Sequence, residues 1–398
     1  MKLFKKAAML IYVLSVLLLN GCEASESIGN LDRADISYLM DTEIPCVNAE
    51  ELYERKRYDA PQALIKQYGF PSGFDGKNLY VLRDNTPVSE HANNTYPSGF
   101  HSGLIAYYDI DKGEFITLYE EKSNNYIYYN YAGVFDSCLY YYRGEEELND
   151  NEKLTYKLYR ISFYSKQPEE IFEFNTAHFS SVSGLTPFVN YKKYLFFHDM
   201  IKREDSENNT EQKYTDIIYR YNTQNGTFEK LLENAKFPME YKNGIAYLTE
   251  KNDEDKYNIT YLDLEKNSEE EIGEINYSEF GNRVFSNKNN IFFLSKSQDS
   301  ESGRYITEIK NADKNGCQLF GRVVNNSNIN TTDGELMLLI GSDNGYMIYD
   351  ERHNCLSQLN INRQYNVGYA SDDSVMFFCY DNEIKNAILY IYSPKDES

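Results

Sequence analysis

Histidines close to carboxylates are the first place to look for catalysis or metal binding in this chain. The five histidines are His91, His101, His178, His198 and His353. No two of them have the spacing of a metal-binding pair such as H-x-x-x-H. His198 is followed directly by a carboxylate, Asp199. Because adjacent residues of a strand point to opposite faces, we do not expect these two side chains to form a catalytic dyad.

A second candidate is the acidic stretch Asp109–Gly113, with Glu120 downstream. Its spacing matches a calcium-binding loop in part, but that loop needs glycine at its sixth position, where this chain has Glu114. A hairpin turn accounts for the stretch more simply. The chain also lacks the G-x-S-x-G elbow of serine hydrolases. The sequence therefore predicts no catalytic residue, no metal site and no cofactor, and it leaves the binding residues unknown.

The start of the chain has the features of a lipoprotein leader. Three lysines and a short apolar run precede Gly21 and Cys22. This pattern resembles a bacterial lipoprotein signal peptide with its lipobox. The resemblance implies that residues 1–21 are removed, that Cys22 is acylated and that residues 22–33 tether the chain to a membrane of the cell envelope, outside the cytoplasm. The alternative is an ordinary secretory signal with a chance cysteine.

The other five cysteines do not form a recognisable pattern. They are Cys46, Cys138, Cys317, Cys355 and Cys379. Their odd number and the absence of C-x-x-C spacing argue against a disulfide framework or a structural zinc site. Cys317 and Cys355 fall at similar hairpin positions of neighbouring repeats, which leaves one disulfide between them as an alternative.

A repeated unit of short β-prone runs organises most of the chain. Each copy has a turn rich in Asn, Asp, Gly or Lys, and then a run of residue types that favour strands. Pairs such as Asn243-Gly244 are expected to form the turn because they tolerate positive φ. A second run with Tyr near its centre follows most copies, as in Tyr261–Leu264. The seven first runs are Leu79–Leu82, Leu139–Tyr142, Tyr194–Phe197, Ile245–Leu248, Ile291–Leu294, Leu336–Ile340 and Val375–Cys379.

These repeats predict an all-β fold. A strand-only repeat of about 40–50 residues is typical of a four-stranded β-propeller blade, so we expect seven blades within residues 69–398. A pair of β-sandwiches and a β-solenoid are the alternatives. In the N-terminal segment, residues 34–68, Ile36–Met40 is the candidate strand that closes the ring. A short helix is expected from its cap at Asn48 to Arg57.

The negative charge limits the classes of partner. The chain has 62 acidic and 40 basic residues and a formal net charge of −22. This argues against nucleic acid, whose phosphates need Lys and Arg, and against lying flat on anionic lipid. Cationic peptides, cationic glycans and metal ions are more compatible, although solubility alone explains an acidic surface. The 38 tyrosines are spread over every repeat, so we expect their rings to pack on the sheets with their hydroxyls in water.

The leader and the Tyr-rich repeats together resemble bacterial lipoproteins with TolB-like or related Tyr-rich β-propellers. The resemblance covers the leader and about residues 69–392, and the repeats lack the WD and kelch signatures. It implies binding of a protein or ligand at the faces of the ring and no shared catalytic residues. We expect a monomeric binding module for a protein, peptide or glycan that uses one face. The alternative is a surface hydrolase or lyase that cleaves glycan or peptide. A solute-binding protein of a transporter would need alternating helices and parallel strands, which the pattern lacks.

Overall fold

Strands make up nearly all of the regular structure. The computed structural model describes residues 40–41, 44–60, 71–85, 102–123, 125–146, 154–175, 188–202, 214–251, 256–276, 284–298, 305–313, 316–324, 328–331, 336–340, 346–359, 367–371, 374–381 and 386–395. These residues contain thirty strands and one four-residue helix. No helix among them has the length and the apolar run that a membrane crossing requires.

The strands pair into seven sheets, which are the blades of a β-propeller. Blade one contains β4 (Gly73–Phe74), β5 (Asn78–Arg83), β6 (Gly103–Asp109) and β7 (Glu114–Glu121). Blade two contains β8 (Tyr126–Phe135), β9 (Cys138–Glu146), β10 (Leu154–Ser162) and β11 (Pro168–Glu173). Blade three contains β12 (Val189–Tyr191), β13 (Tyr194–Lys202), β14 (Tyr214–Asn222) and β15 (Phe228–Glu233). Blade four contains β16 (Ala235–Tyr241), β17 (Gly244–Glu250), β18 (Lys256–Asp263) and β19 (Ser268–Asn276).

The last three blades each include a strand from the N-terminal segment. Blade five contains β20 (Val284–Ser286), β21 (Ile291–Gln298), β22 (Tyr305–Asp313), β23 (Gly316–Val324) and, on its outer edge, β1 (Met40–Asp41). Blade six contains β24 (Asn328–Thr331), β25 (Leu336–Ile340), β26 (Tyr346–Asp350), β27 (Cys355–Leu359) and the outer strand β2 (Cys46–Asn48). Blade seven contains β28 (Val367–Ser371), β29 (Ser374–Asp381), β30 (Asn386–Pro394) and β3 (Tyr53–Ala60). The helix α1 (Ala49–Leu52) connects β2 to β3.

The predicted all-β propeller with seven blades is confirmed. Each of the seven predicted first runs lies in the second strand of its blade, and the Tyr-centred runs lie in the third strands. The first strands of consecutive blades contact one another from blade three round to blade one. They are therefore the strands nearest the axis of the ring.

The two ends of each blade carry different connections. Because the four strands are antiparallel, the hairpin between strands one and two lies at the same end as the turn between strands three and four. In blade three, the backbone N–H of Thr223 in that turn donates to the carbonyl of Lys193 in the hairpin (3.0 Å). We call this the hairpin end, and the opposite end the loop end.

Hydrophobic clusters fill the spaces between neighbouring blades. The described residues form seven such clusters, one at each interface between blades. Among the described side chains, the second strands of six blades each contribute to two clusters, because alternate side chains face opposite ways. In β13, Leu195 and Phe197 pack toward blade two, whereas Phe196 packs toward blade four. Truncating a buried phenylalanine of this kind typically costs about 3–5 kcal/mol, so these clusters stabilise the ring.

The strand that closes the ring differs from the one that the sequence predicts. β3 pairs with β30 along its whole length and forms the fourth strand of blade seven. The prediction that Ile36–Met40 closes the ring is wrong. Met40 begins β1, which pairs with β23 of blade five, and residues 36–39 lie outside the described part of the chain.

The helix predicted from Asn48 to Arg57 is wrong beyond its first turn. Asn48 does cap a helix, and its Oδ1 accepts a hydrogen bond from the backbone N–H of Glu50 (3.1 Å). The helix ends at Leu52, and Tyr53 begins β3. Pairing with β30 and burial of the Tyr53 side chain outweigh a local helix preference, which is weak in a segment this short.

Asp350 joins the closing strand to blade six. Its buried carboxylate accepts a hydrogen bond from the hydroxyl of Tyr53 (2.7 Å). It also lies 3.1 Å from Nη2 of Arg352 and 3.0 Å from Nδ1 of His353. Burial alone would raise the pKa of Asp350, but the hydrogen bonds from Arg352, Tyr53 and His353 lower it to about 2. The carboxylate is thus held charged within the interface between blades six and seven.

Several buried tyrosine hydroxyls bond to carboxylates, where the sequence predicts contact with water. The Tyr80 hydroxyl donates to Oδ2 of Asp75 (2.6 Å), and the Tyr247 hydroxyl donates to Oε1 of Glu269 (2.9 Å). A buried hydroxyl needs a hydrogen-bond partner, and an acidic chain offers many carboxylates. The expected packing role of the rings is confirmed, since Tyr80 is fully buried and Tyr247 nearly so.

The turn at Asn243-Gly244 needs glycine for a reason other than positive φ. The residue with positive φ is Lys242 (φ 49°), and Gly244 already belongs to β17. A Cβ added to Gly244 would lie 2.0 Å from the carbonyl oxygen of Leu262. Close approach of the neighbouring strand therefore requires glycine at this position.

Candidate functional site

A cavity of about 360 Å³ opens at the hairpin end, where blade three meets blade two. Its size falls in the range of about 300–1,000 Å³ that is usual for small-molecule sites. Two hairpins and one turn supply its lining residues, which are Asp136, Lys192, Lys193, Tyr194 and Gln224.

Tight hairpins place the charged residues of the cavity. Lys192 and Lys193 are the two loop residues between the paired residues Tyr191 and Tyr194. Lys192 has φ 56°, in the left-handed region that side chains with a Cβ adopt at a cost. Asp136 occupies the corresponding hairpin of blade two and has φ 51°. The hairpin loop of blade three is thus only two residues long.

Thr223 fastens the two blades together beneath the cavity. Its backbone N–H donates to the carbonyl of Lys193 (3.0 Å), and its hydroxyl donates to Oδ2 of Asp136 (2.8 Å). Its own carbonyl accepts a hydrogen bond from Nη1 of Arg160, which belongs to blade two (3.2 Å). Since Thr223 is nearly fully buried, these three bonds fix the positions of the lining residues.

Two cationic side chains lie close to the Tyr194 ring at the cavity. The Lys193 ammonium lies 5.3 Å from the centroid of the Tyr194 ring, and the Arg220 guanidinium carbon lies 4.7 Å from it. Lys192 pairs with Glu265 (2.5 Å), and this hydrogen bond raises the pKa of Lys192. The cavity therefore offers an ammonium group, a ring, an amide and a carboxylate to a ligand. These groups suit binding, and none of them is paired as a nucleophile is with a general base.

His198 finds a carboxylate partner, but on the neighbouring strand. Its Nε2 lies 2.7 Å from Oδ1 of Asp216 in β14, and its ring packs against Phe237. Asp199 faces the other way and accepts hydrogen bonds from the backbone N–H and the amide of Asn175 (3.2 and 3.0 Å). The expectation that His198 and Asp199 do not form a dyad is confirmed.

Lys236 completes the network around His198. Its ammonium lies 4.0 Å from Asp216, 3.2 Å from Glu250 and 2.7 Å from the hydroxyl of Tyr257. Burial alone would lower the pKa of Lys236, but the hydrogen bond to Tyr257 and the two carboxylates raise it. The network joins blades three and four through these hydrogen bonds and ion pairs. We read it as a structural link between blades.

Asp84 is a partly buried residue that the sequence does not single out. It follows β5 at the loop end, and its Oδ1 accepts a hydrogen bond from the backbone N–H of Tyr129 (2.7 Å). Burial raises the pKa of Asp84 to about 6, against the smaller effect of that hydrogen bond. Shifts of this kind occur at functional sites and in structural networks alike, and no second titratable group faces Asp84 among the contacts of the described residues.

Asp109 and Glu120, which match a calcium-binding loop in part, lie at opposite ends of the β6–β7 strand pair. Asp109 caps its turn by accepting from the backbone N–H of Lys112 (3.0 Å) and pairs with the Lys112 ammonium (2.6 Å). Glu120 lies at the far end of β7 and hydrogen-bonds to Ser102, so the two carboxylates do not meet. The described residues contain no group of three His, Cys, Asp or Glu side chains that could hold a metal ion.

Cys355 is a free thiol, so the alternative of a Cys317–Cys355 disulfide is wrong. Cys46 and Cys138 are also free. Cys22, the leader and the tether lie outside the described part of the chain. The same holds for three of the histidines, namely His91, His101 and His178.

The sequence did not predict the residues that line the cavity. Lys192 and Lys193 were interpretable only as turn residues, and Tyr194 only as the start of a strand. One signal was available, because this hairpin loop consists of two lysines, whereas the corresponding turn of every other repeat includes Asn, Asp or Gly. The partner residue Asp136 comes from another blade, and nothing in the local sequence connects it to them.

No family model matches the chain, and no curated protein matches it either. The β-propeller domain of the trilobed protease from Pyrococcus furiosus is 15% identical, with a TM-score of 0.43, over 68% of this chain and 84% of that chain. An oligogalacturonate lyase from Vibrio parahaemolyticus is 12% identical, with a TM-score of 0.39, over 87% and 98%. The acylaminoacyl peptidase of Pyrococcus horikoshii is 10% identical, with a TM-score of 0.46, over 81% and 50%. Similarity of this degree carries no argument about function.

Proposed function

We propose that the chain is a lipid-anchored β-propeller outside the bacterial cytoplasm that binds a protein, peptide or glycan without cleaving it. The single observation that carries the binding role is the cavity between blades two and three. Its aromatic ring, amide and charged groups converge on one space of suitable volume. We place the ligand there, at the hairpin end, and we expect the protein to act as a monomer.

The candidate catalytic side chains are held in structural contacts, which supports binding over catalysis. Asp109 caps a turn, Asp350 holds the closing strand, and Nε2 of His198 hydrogen-bonds to Asp216 within a link between blades. A hydrolase or lyase would need an acid or base directed at a substrate. The second candidate function, cleavage of glycan or peptide, therefore gains no support from the described residues.

Anchoring rests on the leader and on Cys22. A single acylated cysteine that carries several acyl chains would hold the protein at the membrane, since each buried CH₂ contributes about 0.8 kcal/mol. The test is a Cys22→Ser variant of the full chain expressed in a bacterium. We expect wild-type protein in the detergent phase, with an N-terminal mass that includes acyl chains, and the variant outside that phase. Wild-type protein that partitions into the aqueous phase would refute the anchor.

The binding role can be tested at the cavity itself. Detergent-solubilised wild-type protein is used to capture ligands from envelope extracts, beside a Tyr194→Ala/Gln224→Ala variant. The matched control is Tyr164→Ala, since Tyr164 also lies at the hairpin end and is 86% exposed. We expect the control to capture the same molecules as wild type and the double variant to lose them. Equal capture by all three proteins would place the binding site elsewhere.

A further inference from the structure

Four lysines lie on consecutive first hairpins at the hairpin end. Lys192 and Lys193 belong to blade three, Lys242 to blade four and Lys288 to blade five. The backbone N–H of Lys242 donates to the carbonyl of Lys288 (2.6 Å), so the hairpins of blades four and five are in contact. We call these four residues the lysine rim. It begins at the cavity and continues across three blades near the axis of the ring.

Most of the lysine rim has no carboxylate partner within the described residues. Lys192 pairs with Glu265. The ammonium of Lys193 lies over the Tyr194 ring, and that of Lys242 lies 4.8 Å from the Tyr241 ring centroid. Among the described lysines elsewhere, some pair with Asp or Glu and others do not. The paired ones include Lys56, Lys112, Lys157, Lys230, Lys236, Lys251 and Lys266, and the others include Lys77, Lys122, Lys166 and Lys395. In a chain with 62 acidic residues, cations without carboxylates on one rim form a surface complementary to an anion.

Backbone conformation gives an independent reason to regard the lysines as functional. Lys192 has φ 56° and Lys242 has φ 49°. Asn and Gly adopt this left-handed conformation more easily than Lys. Two hairpins of the lysine rim therefore carry lysine where folding alone favours another residue, as does the turn at Lys166 (φ 52°) outside the rim. Strain of this kind is more frequent at functional sites.

The cavity at one end of the lysine rim indicates what kind of anion fits. The Tyr194 ring offers an apolar face, while Gln224 and the carboxylate of Asp136 can bond to hydroxyl groups. A hydroxyl-rich ring satisfies these groups, and its charged neighbours along a chain would meet the lysines. Resting on the proposed function, we propose that the ligand is an anionic polysaccharide, with one sugar in the cavity and the carboxylates of adjoining sugars along the lysine rim.

The first experiment compares three polymers as probes of detergent-solubilised wild-type protein. Alginate has carboxylates and sugar rings, dextran has uncharged sugar rings, and poly-L-glutamate has carboxylates without sugars. We expect alginate to bind, with affinity falling at least tenfold between 50 and 300 mM salt because screening weakens the contacts. Dextran and poly-L-glutamate should bind at least tenfold more weakly at low salt. Equal binding of poly-L-glutamate would overturn the glycan assignment, and failure of alginate to bind would overturn the proposal.

The second experiment uses a matched pair of triple variants. Lys193→Gln/Lys242→Gln/Lys288→Gln removes three charges from the lysine rim, and the control replaces Lys56, Lys122 and Lys230 with Gln elsewhere on the surface. We expect at least a tenfold loss of alginate affinity in the first and less than a twofold change in the control, with unchanged thermal unfolding in both. Equal losses would show a net-charge effect and refute the lysine rim.

Results from the cavity variants and the rim variants together separate the anionic assignment from the proposed binding role on which it rests. Suppose that a captured neutral ligand depends on Tyr194 and Gln224 but not on the rim variants. The anionic assignment then fails while the binding role stands. If neither set of variants changes capture or alginate binding, both fail.

Discussion

Replacing Asp350 with Asn tests how the ring is held closed. The side chain keeps its shape but loses its charge, so the contacts with Arg352 and His353 weaken. The pKa of Asp350 is about 2 in the folded protein and about 3.9 in an unfolded chain. That difference corresponds to roughly 2–3 kcal/mol of stability at neutral pH. We expect Asp350→Asn to lower the free energy of unfolding by that amount.

The assay is urea denaturation at pH 7, followed by far-ultraviolet circular dichroism. Asp109→Asn is the matched control, because Asp109 occupies the equivalent turn of blade one and pairs only with exposed Lys112. An exposed pair contributes about 0–1 kcal/mol. Tyr53→Phe removes the hydroxyl that donates to Asp350, and we expect it to cost about 1 kcal/mol.

The pH dependence of stability gives a second, independent test of the role of Asp350. Because the folded pKa of Asp350 lies below the unfolded value, its contribution is complete above about pH 5 and is lost as the pH falls toward 2. The stability difference between wild type and Asp350→Asn should therefore shrink between pH 5 and pH 2. A difference that stays constant over this range would refute the reasoning, as would equal losses in Asp350→Asn and Asp109→Asn.

Two further substitutions test local features of the ring. Asp84→Asn should stabilise the protein by about 1–3 kcal/mol at pH 8, because burial raises the pKa of Asp84 to about 6 and makes its charged form unfavourable. The gain should vanish near pH 4, where the carboxyl is protonated when folded, and thermal unfolding at the two pH values checks this. Gly244→Ala should cost more than about 2 kcal/mol in urea denaturation, since the added Cβ would meet the Leu262 carbonyl. Gly226→Ala, with φ 72° and open space around it, should cost only about 1 kcal/mol; equal losses would contradict the steric explanation.

Much of the fold could be predicted from local sequence because each blade repeats one simple pattern. A run such as Leu195–Phe197 is apolar on both faces, since a second strand contributes to the interface on each side of its blade. The closing strand could not be predicted this way. Its partner lies more than 300 residues away, and the pairing of Tyr53 with blade seven has no trace in the local pattern.

The candidate site was harder to predict, because neighbouring blades build it together. Asp136 and Lys193 come from different hairpins, and Thr223 hydrogen-bonds to both of them. The partner of His198 could not be predicted from the local sequence either. That partner is Asp216, which lies diagonally across the strand pair. Sequence periodicity shows which face a side chain occupies, but it does not show which residue faces it across a blade interface.

The closing strand also bears on the order in which the chain is made. β3 leaves the ribosome long before β30, its partner, has been synthesised. During that interval its hydrogen-bonding groups are available to other chains. Five of its eight residues are charged, in the sequence Tyr-Glu-Arg-Lys-Arg-Tyr-Asp-Ala, and charge on an edge strand discourages pairing with other molecules. The charges of β3 thus discourage aggregation of the unfinished chain until β30 has been synthesised and can pair with it.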